Sequence, residues 1–162
     1  MGKYDFEGAR DATPSRGGVY MKPGNYRVQI QASKWIKGQL GKNFFIVEFK
    51  ILKSDNPEVP VGAQRSWVVD MSTSNVMRGP NVKGFIAAVS GVDGSLDDAA
   101  DRIEEYWRAQ SGADLGFEAI MGELVIDQNI LENVEMDLEC VNISTRTGGE
   151  FTKFNWATNP NP

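Results

Sequence analysis

The sequence has no histidine and a single cysteine, Cys140. Histidine is the commonest general base and the commonest metal ligand, so its absence excludes every Ser-His or Cys-His nucleophile pair. One cysteine excludes an internal disulfide framework and any cysteine-rich metal site. Composition leaves open a magnesium enzyme that uses carboxylates alone. We therefore expect a protein that is not an enzyme and holds neither a cofactor nor a metal ion.

Long apolar runs are also absent. No stretch approaches the roughly 18 to 20 apolar residues of a membrane-spanning helix. Residues 1–18 mix Lys3, Asp5, Glu7 and Arg10, so they contain no apolar core of a signal peptide. These features predict a cytoplasmic protein with no membrane partner. With 162 residues, of which 41% are hydrophobic, the chain has the size and composition of one globular domain.

The chain divides into three parts by composition. Residues 1–18 are polar and glycine-containing and are predicted to form a flexible N-terminal arm, and residues 158–162 a short polar tail. The domain itself is predicted at 19–157. Within it, alternation of apolar and polar residues predicts strands over 24–36, 43–53, 64–71, 135–141 and 151–156.

The period of the pattern changes between the third and fourth strands. Val82, Phe85, Ile86 and Val89 recur at helical spacing and predict a short helix that ends near Ser90. A second helix is predicted to begin with Ser95 as its N-cap and to end at Gly112, with an apolar stripe formed by Leu96, Ala99, Ala100, Ile103, Tyr106 and Trp107. Residues 113–132 are ambiguous, and Leu124–Ile126 could be a short strand.

Three strands, a helical segment and a final hairpin follow one another in the order of an OB-fold. We therefore predict a mainly β domain, a five-stranded Greek-key barrel with a helical insertion between strands three and four. An SH3-like barrel or an open meander would also satisfy the pattern.

The charge is unevenly distributed, although the net charge is only −5. Residues 22–53 contain seven basic residues and one acid, whereas residues 93–139 contain fourteen acids and two arginines. Either run alone could simply be a solvated surface. Because the basic run coincides with the first two predicted strands, it favours a polyanionic partner at that part of the domain.

Oligonucleotides bind OB-folds along the second and third strands and between the loops that join strands one and two and strands four and five. In this region lysines and arginines alternate with aromatic residues, the combination that holds phosphates and stacks on bases. The candidate nucleic-acid-binding residues are Lys34, Trp35, Lys37, Lys42, Phe44, Lys50, Arg65, Trp67, Arg146 and Lys153. Trp35 is the strongest candidate for stacking, whereas Trp67 could equally belong to the core.

Four short segments, PGNY at 23–26, KNFFIVEF at 42–49, NVKGFI at 81–86 and the hairpin from GEFT at 149–152 to Trp156, make residues 19–157 resemble phage-encoded single-stranded DNA-binding proteins. The resemblance implies an OB-fold that coats single-stranded DNA in replication or recombination, in the host cytoplasm, and that self-associates. Many such proteins end in an acidic tail that recruits replication proteins, but this chain ends in TNPNP. Either such recruitment is absent, or the acidic segment 93–139 performs it.

Two other functions fit the same sequence. The chain could be a structural or assembly protein of a phage particle, in which case the acidic and basic halves would pair between subunits. A metal-dependent nuclease or phosphatase could instead use the acidic cluster. The leading prediction is sequence-tolerant binding of single-stranded DNA.

Overall fold

A computed structural model describes residues 21–38, 42–72, 74–75, 77–111, 117–126, 130–144 and 148–160. In these ranges the chain forms five strands and three helices. In chain order they are β1 (Gly24–Lys37), β2 (Asn43–Ser54), β3 (Gln64–Asp70), α1 (Arg78–Val89), α2 (Ala99–Ser111), α3 (Phe117–Ile126), β4 (Glu135–Ser144) and β5 (Glu150–Trp156). The mainly β class and all five predicted strands are confirmed.

The strands form one antiparallel sheet in the order β3-β2-β1-β4-β5. The long strand β1 is central, and its first part pairs with both β2 and β4. From Ala32 onwards β1 pairs with β2 alone, because its pairing with β4 ends at Gln29. The end of the β1–β2 hairpin therefore extends past β4.

The predicted barrel does not close, since the sheet ends at β3 on one side and β5 on the other. Aromatic side chains fill the space between these two edge strands. Trp67 on β3 lies 5.5 Å from the Trp156 ring and 6.1 Å from the Phe154 ring, both on β5. We call this group the seam cluster, and its members are Phe45, Phe49, Trp67, Phe85, Phe154 and Trp156.

The core lies on one face of the sheet, against the helices. As the alternation in β2 predicts, Phe45, Val47, Phe49 and Ile51 all face it and are fully buried. Helix α1 adds Phe85 to the seam cluster, and α2 and α3 contribute buried apolar side chains, among them Ile103, Ile120 and Leu124. Burial of this continuous apolar surface is the main force that holds the helices on the sheet.

Register irregularities in β1 change which side chains face the core. Between Ile30 and Ala32 the pairing with β2 shifts, so Gln31 has no direct partner. Even-numbered residues face the core before this bulge, and odd-numbered ones after it: Ile30 pairs with Phe49, but Ser33 pairs with Val47 and Trp35 with Phe45. A bulge of one residue has this consequence because side chains alternate with a period of two.

The helical segment differs in part from its prediction. Helix α1 is confirmed, with Ser90 as its C-cap. Helix α2 begins at Ala99 rather than at Ser95, because Asp93 accepts hydrogen bonds from the backbone and hydroxyl of Ser95 and forms a separate turn. Leu96 is consequently exposed. Leu124–Ile126 ends a helix and is not a strand.

The end of the described chain packs against α1. Asn159, predicted to lie in a polar tail, is buried, and its N–H donates to the Ala88 carbonyl of α1 at 2.8 Å. Among the helices of the described ranges, none has the length and apolar character needed to cross a bilayer.

Candidate nucleic-acid interface

The end of the β1–β2 hairpin carries an exposed aromatic ring beside lysines. Trp35 is 38% exposed although it pairs with the fully buried Phe45. Lys37, two residues further on, faces the same side of the hairpin and is exposed. The Gly38 N–H donates to the Lys42 carbonyl at 2.6 Å, which places the Lys42 backbone opposite Gly38 at the same end of the hairpin. We call Trp35, Lys37 and Lys42 the hairpin site.

The lysines around this site differ in their electrostatic surroundings. Lys34 forms an ion pair with Glu48 of β2, with Nζ 3.1 Å from Oε1. Lys37 and Lys42 have no carboxylate within ion-pair distance in the described part of the chain. Their charges therefore remain available for an anionic ligand, whereas the charge of Lys34 is already partly compensated.

A buried hydrogen bond fixes the base of the hairpin to the helical layer. Ser33 is fully buried, and its hydroxyl donates to the Leu124 carbonyl in α3 at 2.5 Å. On the other side, β2 continues the sheet to β3, where Phe45 pairs with Val69. Because both sides are held, the backbone that carries Trp35 is preorganised for binding, which lowers the entropic cost of fixing a ligand.

The outer face of β2 has only part of the predicted binding surface. Lys50 is exposed there, opposite Gln29 and Gln64. Phe44 also points to this face, but it is 6% exposed and offers almost no ring surface for a base. Asp70 pairs with Phe44 and adds a carboxylate to the same face. This face is therefore a weaker phosphate surface than the sequence indicates.

Two candidate site residues of β3 lie on the core side of the sheet and not on its outer face. The register pairs Trp67 with Val47 and Arg65 with Phe49, so both share the core side of β2. Trp67 is 6% exposed within the seam cluster. Arg65 is half-buried at the edge of the core, and its Nη1 donates to the Gln64 carbonyl at 2.9 Å. We therefore do not include Trp67, Phe44 or Arg65 in the stacking surface.

The β4–β5 hairpin presents an aromatic residue that sequence reasoning missed. Phe151 is 48% exposed and shares the outer face of β5 with Lys153, which is also exposed. The sequence contained this information, because side chains alternate between the two faces of a strand. Phe154 and Trp156 face the core, so Phe151 and Lys153 must face outwards. Arg146 lies outside the described residues.

The two hairpin turns lie at opposite ends of β1. Lys37 pairs with Asn43 at one end of β1. At the other end Gly24 pairs with Cys140, and β4 continues past this point to Ser144 before the β4–β5 turn. The structure therefore separates Lys153 and Phe151 from the hairpin site along the strand direction. A ligand that contacts both groups must cross the sheet.

The acidic residues form a different region. Glu135, Asp137 and Glu139 alternate outwards on β4, and Arg27 of β1 forms ion pairs with the first two, at 3.5 and 3.1 Å. In the ranges that the structure describes, no three acidic or cysteine side chains converge to hold a metal ion. Asp93 accepts two hydrogen bonds from Ser95, which lower the pKa of its carboxyl group.

No protein-family model matches the chain, and no curated protein is significantly similar to it.

Proposed function

We propose that the chain is a sequence-tolerant single-stranded DNA-binding protein that protects single-stranded DNA in replication or recombination. The observation that carries the proposal is the hairpin site, where the exposed Trp35 ring and two lysines, which have no ionic partner among the described residues, lie at one end of the β1–β2 hairpin. Stacking of one base on an aromatic ring contributes about 1 to 3 kcal/mol and depends little on which base it is. Lysines held nearby neutralise phosphates and release counterions.

The topology supports the finer proposal that the domain is an opened OB-fold. Such folds are five-stranded, partly open Greek-key barrels that bind oligonucleotides on strands two and three and on the loops beside them. Here β1 pairs with both β2 and β4, and the helices lie between β3 and β4, which is the expected connectivity. Packing of aromatic rings at the seam takes the place of hydrogen bonds between β3 and β5.

The separation of acidic and basic residues supports a defined path for the bound single-stranded DNA. The acids of β4 and of the helical segment repel phosphates from that side of the molecule, whereas the basic residues of β1 and β2 attract them. The polyanion is thereby directed to the hairpin site and to the exposed Lys50.

Titration of labelled poly-dT at about 50 mM and about 200 mM salt tests the proposal, since phosphate contacts make affinity fall steeply with salt. Trp35→Ala should weaken binding by about 1 to 3 kcal/mol, which is roughly 5- to 150-fold. Leu96→Ala is the matched control, because Leu96 is an equally exposed apolar residue in the acidic region. No detectable binding at the lower salt concentration would refute the proposal.

The open edges of the sheet favour a second candidate, a structural or assembly subunit. Among the residues that the structure describes, β3 and β5 each have one side without a hydrogen-bonded partner strand, and such edges can pair with a neighbouring chain. This function predicts stable, ordered oligomers whose size in light scattering is unchanged by poly-dT. The first candidate instead predicts that poly-dT itself determines the size of the complex.

A further inference from the structure

A cleft of about 690 Å³ lies between α2, α3 and the turn that leads into β4. Its volume is in the range of about 300 to 1,000 Å³ that is typical of ligand sites in proteins. The cleft does not include the hairpin site: Trp35, Lys37 and Lys42 do not line it, and its residues come mainly from α2 and from the segment 130–135. The proposed binding of DNA leaves it unused.

The floor of the cleft is apolar. Buried Val89, Leu131 and Trp107 form part of it, and the Tyr106 ring packs edge-on against the Trp107 ring at 5.5 Å. At its margin Ile130 is 38% exposed. An exposed branched aliphatic side chain beside an apolar depression is a contact surface of the kind that binds an apolar anchor.

The rim of the cleft is acidic. Glu123, Glu132 and Glu135 line it together with one cation, Arg27, and Arg27 is already paired with Glu135 and Asp137. Glu123 and Glu132 have no cationic partner within the ranges that the structure describes. The rim therefore carries uncompensated negative charge, which repels nucleic acid and attracts a cationic ligand.

The wall of the cleft is fixed before any ligand binds. Asn133 has a left-handed backbone with φ of 72°, which asparagine tolerates better than most residues. Its N–H donates to the Ile30 carbonyl at 2.8 Å, and the Ile30 N–H donates to the Val134 carbonyl at 2.8 Å. On the floor, the Trp107 indole N–H donates to the Ser90 hydroxyl at 2.9 Å. Little reorganisation is needed on binding.

We propose that this cleft is a docking site for a peptide segment of another protein that carries an apolar anchor flanked by lysine or arginine. The anchor packs on Ile130 and on the apolar floor, and the flanking cations lie against Glu123 and Glu132. The chain then joins two activities on separate surfaces, one for a polyanion and one for a basic segment of a protein.

Fluorescence anisotropy with the full chain and labelled synthetic peptides tests this docking site. The peptides have Leu, Ile, Phe or Trp at the centre and lysines on both sides; matched peptides replace the lysines with glutamates or the centre with serines. We expect at least one lysine-flanked apolar peptide to bind at least tenfold more tightly than both of its matched peptides. Failure of every lysine-flanked peptide to bind at up to about 1 mM would overturn the proposal.

Two pairs of variants locate the binding. Ile130→Lys should weaken it at least tenfold, whereas Leu96→Lys, a similar change at an exposed apolar residue outside the cleft, should not. Glu132→Lys should weaken binding, whereas Glu150→Lys on β5 should leave it unchanged. All four side chains are exposed, so folding is expected to survive, and circular dichroism checks it. Equal losses within either pair would show non-specific attraction and contradict the docking site.

Discussion

The hairpin site and the seam cluster are both built on aromatic residues of the same sheet, yet their rings differ in exposure and in the residues around them. Trp35 at the hairpin site is exposed and has lysines beside it. Trp67 in the seam cluster is buried, and its ring centroid lies within 6.3 Å of those of four other aromatic rings. The two tryptophans lie on the same side of the sheet, since Trp35 pairs with Phe45 and Trp67 with Val47.

The difference lies in what covers each ring. The seam cluster packs against α1: Trp67 and Phe85 are buried and Phe154 and Trp156 are partly buried, so these rings contribute burial energy and leave little surface for a ligand. Trp35 lies in the part of the β1–β2 hairpin that extends beyond β4, and its ring is not enclosed in the same way. Aromatic content in a basic segment is therefore not sufficient to identify a stacking residue. The length of β1 relative to its neighbour β4 decides which aromatic ring is exposed.

The largest effect is expected from removing a seam ring. Trp67→Ala should lower the free energy of unfolding by about 3 to 5 kcal/mol, because it leaves a cavity among tightly packed rings. Trp35→Ala should change the same quantity by no more than about 0.5 kcal/mol, as is usual for surface substitutions. Denaturant titration of both variants measures the contrast. Similar losses in the two variants would mean that the distinction between the two regions is wrong.

The reactivity of the Cys140 thiol measures how well the core beside the seam cluster excludes water. Cys140 lies on the core side of β4 opposite Phe154, and burial, followed by the nearby Glu139 charge, raises the pKa of its thiol to about 12. From an ordinary value of 9.0, this rise lowers the thiolate fraction at pH 8 by about a thousandfold. Thiol labelling of the folded protein should therefore be at least that much slower than labelling in denaturant.

The raised pKa of Cys140 also makes the stability of the fold depend on pH. Because the folded protein holds the thiol proton more tightly than the unfolded chain, the contribution of Cys140 to stability is complete below pH 9. It is lost as the pH rises from there through about 12. Cys140→Ala should flatten the fall in stability over that window. Rapid labelling at pH 8 under native conditions would show that the seam opens readily.

The sequence could predict the strands and the first helix because alternation and helical spacing are local properties. Alternation alone puts Phe45, Val47, Phe49 and Ile51 on one face of β2, and in the structure all four are fully buried. Parity also placed Trp67 and Arg65 on one face of β3, but it could not say which face. That choice depends on the pairing of Trp67 with Val47, which is a tertiary contact.

The remaining differences have equally specific causes. The bulge after Ile30 has no signature in the alternation of β1, yet it turns Trp35 to the core side. The sequence pattern does not predict helix α3, because residues 117–126 are too uniformly apolar to show an apolar stripe at helical spacing. For the candidate site, the position of Trp35, Lys37 and Lys42 at the hairpin end could be predicted, because a turn with lysines and an aromatic residue beside it is a local feature. That they bind DNA stays a prediction. The burial of Phe44 could not be predicted.

A smaller effect should distinguish the hairpin site from the other basic positions. Lys37→Ala should reduce the slope of log affinity against log salt by about 1, the contribution of one phosphate contact. Lys83→Ala, an exposed lysine on α1, should leave the slope unchanged. Lys153→Ala extends the comparison to β5. An equal reduction of the slope in Lys153→Ala would show that the bound DNA crosses the sheet to β5. No reduction would show that the DNA contacts only the hairpin.

The smallest effect concerns the Lys34–Glu48 ion pair at the base of the hairpin. Both side chains are partly exposed, so the pair is expected to contribute no more than about 1 kcal/mol to stability. Glu48→Gln should therefore hardly change unfolding, but it removes the carboxylate that compensates Lys34 and leaves an uncompensated cation near Trp35. We expect poly-dT affinity to rise a few-fold at low salt and to approach the wild-type value at high salt, because salt screens the released charge. A decrease in affinity would mean that Glu48 holds Lys34 in the orientation that binds phosphate, and that the cations of the hairpin act through their geometry as well as their charge.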